Sequence, residues 1–209
     1  MKLKRHLLSR IKATQTDLDP SSSIYTGNGL PGVDVTADLD KLFFKKDRMY
    51  KHNIMRINYT TYDVRRAQDT INPNTDHRDI LLLSAEDNDA PIHQYAYARV
   101  LGIYHVNVVY AGSGATGYRA QRMEFLWVRW FANIADEPVQ RSWVGRQLDC
   151  LEFLPVNQEN AFGFVDPASV LRGGHLMPRF AAGRQHVGGK GISVCARDSE
   201  DWCQYYVGR

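Results

Sequence analysis

The stretch MEFLWVRWF, residues 123–131, limits the possible fold more than any other part of the chain. In an extended strand, Met123, Phe125, Trp127, Arg129 and Phe131 fall on one side, and Glu124, Leu126, Val128 and Trp130 on the other. Both sides are largely apolar, so the strand is expected at the centre of a sheet, covered on both faces. Arg129 then has to lie near the rim of the domain, or pair with an acid or an aromatic ring, because a buried guanidinium without partners is costly. Glu124 is on the opposite side and is no direct partner. The competing reading is a binding stripe. If the strand serves a partner or a peptide, its far end, Arg129, Trp130 and Phe131, is the candidate contact.

Further extended segments surround it. NIMRINYTTY (53–62) alternates, with Met55, Ile57 and Tyr59 on one side and Arg56, Asn58 and Thr60 on the other. ILLLS (80–84) is a short apolar strand, followed by an acidic turn, AEDNDAP. YAYARVLGIYHVNVVY (95–110) is long and rich in β-formers, with Gly102 placed where a bulge or bend is expected. AGSGATG (111–117) reads as a hairpin connection, and 146–156 and 174–180 as two more strands. In VDPASVLRGG, Asp166 is an N-cap, Pro167 stands at the first helical position and Gly173 where a C′ glycine belongs, which predicts a helix over 167–172. Leu3, Leu7, Leu8 and Ile11 recur at helical spacing and predict a short basic helix over 1–12. The Ser-, Gly- and Pro-rich segment after it reads as linker. The expectation is a mainly β protein: a small bent sheet or an SH3-like barrel, with one or two short helices. Residues 1–40 are expected to be a basic, mostly flexible tail, and 41–209 a single β-rich domain.

Charge is uneven although the net value is only +3. Residues 41–66 carry eight basic side chains against two acids, and residues 67–96 six acids and one arginine. KKDRMYK (45–51) and YDVRRAQD (62–69) interleave cations with tyrosine, a mixture that suits phosphate contacts together with base stacking. Lys45, Lys46, Arg48, Lys51, Arg65 and Arg66 are therefore the nucleic-acid-binding candidates. A strand edge kept soluble by charge accounts for the same composition.

Catalytic signatures are weak. GSGATG and GRQHVGGKGIS lack the Lys-Ser/Thr that a phosphate-binding P-loop requires, and no G-x-S-x-G elbow occurs. His175, His186, Cys195 and Cys203 cluster in sequence, but at no standard zinc spacing. No catalytic residue, metal site, cofactor or small-molecule ligand is assigned. An enzyme reading would draw on Asp63, His105 and His175, as in a nuclease or hydrolase. The three cysteines, without a CxxC pair, point to a reducing compartment. No apolar run reaches the ~20 residues of a membrane span. A nuclear or cytoplasmic protein is expected.

Long blocks of the chain, among them FFKKDRMYKHNIMRINYTTYDVRRAQDTINPNTDHRDILLLS, YARVLGIYHVNVVYAG, RMEFLWVRWF, AFGFVDPASVLRGGHLMPRF and CARDSEDWCQYYVGR, resemble the C-terminal region of proteins associated with Plavaka-type DNA transposons of basidiomycete fungi. The resemblance spans roughly residues 41–207. It implies a transposon-related protein whose region here carries no catalytic carboxylate triad, and a YYV block that continues further in the related sequences. A truncated or decayed copy is one expectation that follows. The strand order, from YARVLGIYHV through FLWVRWF and RQLDCLEFLP to DPASVLRGGHLMPRF, is similar at the level of fold to BAH domains. That similarity implies a barrel that binds chromatin or protein partners, although ANIADEP replaces the segment usual after W-F. The leading expectation is a non-enzymatic binding domain that contacts DNA, chromatin or a transposase.

Overall fold

A computed structural model describes residues 1–18, 38–84, 94–112, 115, 117–134 and 148–208. The linker after the first helix, the acidic turn at 85–91 and most of the spacer after Ile134 lie outside them. The protein is mainly β. The described residues form two compact units, one of residues 1–51 and 104–124, the other of residues 52–103 and 125–209.

The first unit contains helix α1 (Lys2–Leu18), strand β1 (Leu42–His52) and the far end of β5 (Tyr95–Tyr110), with which β1 pairs. α1 is longer than the sequence pattern predicts, and it is no free tail. Leu7, Leu8 and Ile11 line one stripe of the helix and are buried, each contributing roughly 2 kcal/mol of hydrophobic stabilisation. Leu39, Leu42, Val106, Val108, Tyr110 and Met123 are the other buried apolar side chains of this unit. Polar ties fix the helix as well. Lys12 pairs with Asp38 at 2.7 Å, and the Arg10 guanidinium donates to the Glu124 carbonyl at 2.5 Å.

The second unit is built on a sheet of short strands around two long ones. Its strands are β4 (Asp79–Leu83), the near part of β5, β6 (Gln121–Ile134) from Phe125 on, β7 (Cys150–Phe153), β9 (Val170–Gly173), β10 (His175–Pro178) and β11 (Tyr205–Gly208), in the order β10-β11-β7-β6-β5-β4-β9. β8 (Phe162–Val165) pairs with β6 as well. The two edge strands, β9 and β10, are joined through Gly174 alone, so the sheet has to curl until its edges meet end to end. The pairing stays open: no ladder joins β9 to β10 among the described residues. The result is a bent sheet and not a closed barrel.

β6 is central, as MEFLWVRWF requires, and pairs with β5, β7 and β8. Alternation divides its neighbours between two apolar clusters. Leu126, Val128, Ala98, Val100, Ile80 and Leu82 join one, and Phe131, Tyr97, Leu151, Phe153, Tyr205 and Val207 the other. Ile103 belongs to the same cluster as Val100, three residues away, so the alternation slips by one beside Gly102.

β2 (Met55–Thr60) and β3 (Arg66–Ile71) form a separate antiparallel hairpin. The helix expected over 167–172 is a single 3-10 turn, Pro167–Ser169, followed directly by β9. Asp166 does cap it, accepting from the Ala168 N–H at 3.0 Å. The chain then turns extended because Val170 and Leu171 are taken into the sheet, where β9 pairs with β4.

Candidate functional site

In β1 the cations stand outside. Lys45, Lys46, Arg48 and Lys51 are all exposed, and no ion pair neutralises them among the described residues. Lys46 and Asp47 have positive φ, 59° and 52°, which breaks the extended run in mid-strand. For Lys46 this costs roughly 1–2 kcal/mol, whereas an aspartate such as Asp47 enters the left-handed region more readily. After this kink no residue up to Lys51 is buried. Phe43 and Met49 are about half exposed, and Tyr50 is 39% exposed with its ring stacked on His105 at 4.7 Å. The result is a strand of four unneutralised cations interleaved with an aromatic ring held in place. Such a strand can contact phosphates while offering a face for base stacking.

Arg65 and Arg66 are exposed too, but they belong to the second unit, at the β2–β3 hairpin. Arg65 is engaged with Asp63 at 2.9 Å. The six cations grouped by sequence therefore divide four and two between the units.

The strand end expected to face a partner is mostly interior. Arg129 has no exposed surface and Phe131 is buried, while Trp130 is half-buried against the core. Arg129 lies away from any rim because its partners come from elsewhere in the chain. Its Nη1 reaches Asp201 at 3.5 Å, and its guanidinium lies 4.0 Å from the centre of the Phe153 ring. Trp130 lies diagonally from Gly163, which pairs with Val128, and so close that a Cβ on Gly163 would meet its Nε1 at 2.5 Å.

Arg129 is part of a buried charge cluster. Asp79 on β4 stands directly across from Arg99 on β5. Arg99 Nε and Nη2 donate to the two Asp79 oxygens at 2.8 and 3.2 Å, a bidentate pair. Its Nη1 donates to Asp201, which also accepts from the Tyr205 hydroxyl. The Phe131, Phe153 and Tyr205 rings surround the Arg99 guanidinium at 5.6, 4.8 and 5.2 Å. Burial pushes the Asp201 carboxyl above its ordinary range, against the pull of Arg99, Arg78 and Arg129. It pushes the Tyr205 hydroxyl up in the same way, and it pulls Arg129 down against Asp201 and Asp198. For Arg99, burial is outweighed by Asp79, and the guanidinium is held more firmly protonated than usual. Arg99, Asp79, Arg129 and Asp201 are all buried, so this cluster docks the last segment of the chain on the sheet and offers no open chemistry. The sequence did not point to Arg99, Asp79 or Asp201.

The residues of the enzyme reading have separate surroundings. Asp63 sits at the hairpin tip with Thr61 and Arg65, His105 stacks on Tyr50 in the other unit, and His175 is exposed on β10. His186 bonds Asp198 at 3.1 Å, Cys195 is exposed and Cys203 half-buried. Burial raises the Asp198 carboxyl, but backbone N–H groups at Ile192, Asp198 and Ser193, with His186 after them, outweigh it and hold the group below its usual range. Among the described residues, no three His, Cys, Asp or Glu side chains gather as metal ligands, and no helix is long and apolar enough to cross a membrane. No family model, curated protein or solved structure matches the chain.

Proposed function

We propose that this chain is a non-enzymatic nucleic-acid-binding module of a transposon-related fungal protein, working on DNA in the nucleus through the basic stretch of β1. One observation carries the reading: Lys45, Lys46, Arg48 and Lys51 are exposed, and in no ion pair among the described residues, on a kinked strand beside the stacked Tyr50 ring. A surface needed only for solubility gains nothing from a lysine strained into the left-handed region, and such strain gathers at functional positions. The cations neutralise phosphates, and Phe43 and Tyr50 supply stacking faces. The resemblance of the long sequence blocks to Plavaka-associated proteins supports DNA as the polyanion.

The test is binding of the purified chain to fluorescent duplex and single-stranded DNA at low salt, alongside histone tail peptides and a Plavaka-type transposase. Saturable DNA binding, weakened at least tenfold by joint replacement of Lys45, Lys46, Arg48 and Lys51 with alanine, is expected. Binding of the peptides or the transposase with none to DNA contradicts the proposal and assigns the surface to a protein partner.

A further inference from the structure

The β2–β3 hairpin has two faces of opposite character. On one, Met55 pairs with Ile71, Ile57 with Asp69 and Tyr59 with Ala67. This face is anchored. Met55 and Ile57 pack on the core, Ile71 is buried, and the Tyr59 ring lies 4.0 Å from the Arg172 guanidinium. Asp69 accepts from the Gly173 N–H at 2.9 Å and from Arg172 Nε at 3.4 Å. On the other face, Arg56 stands opposite Thr70, Asn58 opposite Gln68 and Thr60 opposite Arg66, and all six are exposed.

That outer face holds two arginines, two amides and two threonines, with neither an acid nor an apolar side chain. Both acids of the hairpin are spent elsewhere, Asp63 on Thr61 and Arg65 at the tip, and Asp69 on the anchored face. Gln68 Nε2 donates to Asn58 Oδ1 at 2.7 Å, which sets the two amides side by side at the middle of the face. Neither Arg56 nor Arg66 has an ion-pair partner among the described residues.

Resting on the reading of the chain as a DNA-binding module, we infer that this face reads base edges in the major groove of duplex DNA. The side chains match that chemistry. Arginine donates bidentately to guanine O6 and N7, asparagine and glutamine pair with adenine N6 and N7, and the threonine methyl meets the thymine methyl. The dimensions match as well. A two-stranded ribbon is one of the two elements that the groove, ~12 Å wide, admits. Side chains on one face of a strand recur every ~6.8 Å, about two base-pair steps. The face from Arg56 to Thr60 therefore covers about four base pairs. Protein interfaces centre on aromatic as well as arginine anchors, and this face has no aromatic side chain.

The experiment is selection by the full chain from a randomised duplex library, with the bound pool sequenced. A preferred motif of about four base pairs is expected. Arg56→Lys keeps the charge but loses the bidentate fork, so it is expected to reduce discrimination for that motif at least about tenfold. Affinity for unselected duplex should change less than threefold. Gln68→Ala should relax one position of the motif. A retained pool without any preferred sequence overturns the inference and leaves the DNA-binding reading standing. So does a motif that Arg56→Lys, Gln68→Ala and Arg66→Ala all preserve. Failure to retain any duplex overturns the inference, and failure to bind single-stranded DNA as well overturns both.

Discussion

At Arg129, Nη1 meets Asp201, while Nε and Nη2 are buried without a hydrogen-bond partner among the described residues. Asp201 is the opposite case, serving Arg99, Arg129 and Tyr205 together. Asp201→Ala takes the paired carboxylate from the fully buried Arg129 and leaves Arg99 with Asp79 alone, and is expected to cost about 3–5 kcal/mol. Arg129→Met removes a poorly satisfied charge of similar volume and is expected to be neutral or stabilising, by up to ~2 kcal/mol. Urea unfolding of both variants checks the pair, and equal losses would contradict it. Asp38 is a separate case. Its hydrogen bond and ion pair with Lys12 hold its carboxyl below the ordinary value. A depressed folded pKa contributes stability that is full above the unfolded value, ~4, and is lost as pH falls through the lower folded value. Asp38→Asn is therefore expected to lose less stability than the parent chain between about pH 5 and pH 2. Parallel thermal-unfolding curves for the two chains would contradict this. Only half of the residue-scale picture was legible. A partner for Arg129, acidic or aromatic, follows from burial alone. Asp201 lies 72 residues further on, and no local pattern links the two.

The β2–β3 hairpin shows what backbone strain adds at the scale of an element. Val64 at its tip has φ 61°, a conformation hostile to β-branched side chains, and the residue is 82% exposed. The tip is held by the Thr61 N–H on the Arg65 carbonyl at 2.8 Å and the Val64 N–H on the Thr61 carbonyl at 2.9 Å. Val64→Gly relieves the strain and is expected to raise stability by about 1 kcal/mol, read as a higher melting temperature. A lower one would show that the valine side chain contributes more than its backbone costs. Strands are the elements that the sequence made most legible. The alternation in 53–62, 95–110 and 123–131 depends on neighbours two residues apart; β2 and β6 follow it, and β5 follows it up to the slip beside Gly102. The segment 167–172 misled because capping signals are local, whereas the fate of Val170 and Leu171 is decided by β4, far off in sequence. Helix α1 was legible in its stripe but not in its burial, since what covers Leu7, Leu8 and Ile11 lies beyond any local pattern.

For the whole molecule, the mainly β class was readable because two long apolar strands leave few alternatives. The grouping into units was not readable. The chain enters the first unit twice, through 1–51 and 104–124, and composition carries no mark of that return. Of the candidate binding residues, the β1 cations were legible from charge and aromatic interleaving. The outer face of the hairpin was legible only as alternation, because its meaning depends on which side the core covers. The central claim is that β1 binds DNA through phosphate neutralisation, and the most direct test is the salt dependence of duplex affinity. Four engaged cations should give a slope of log K against log salt of about −3 to −4, and joint alanine replacement of Lys45, Lys46, Arg48 and Lys51 should bring it close to zero. A slope near zero for the unaltered chain, or one left unchanged by the replacements, would contradict the account.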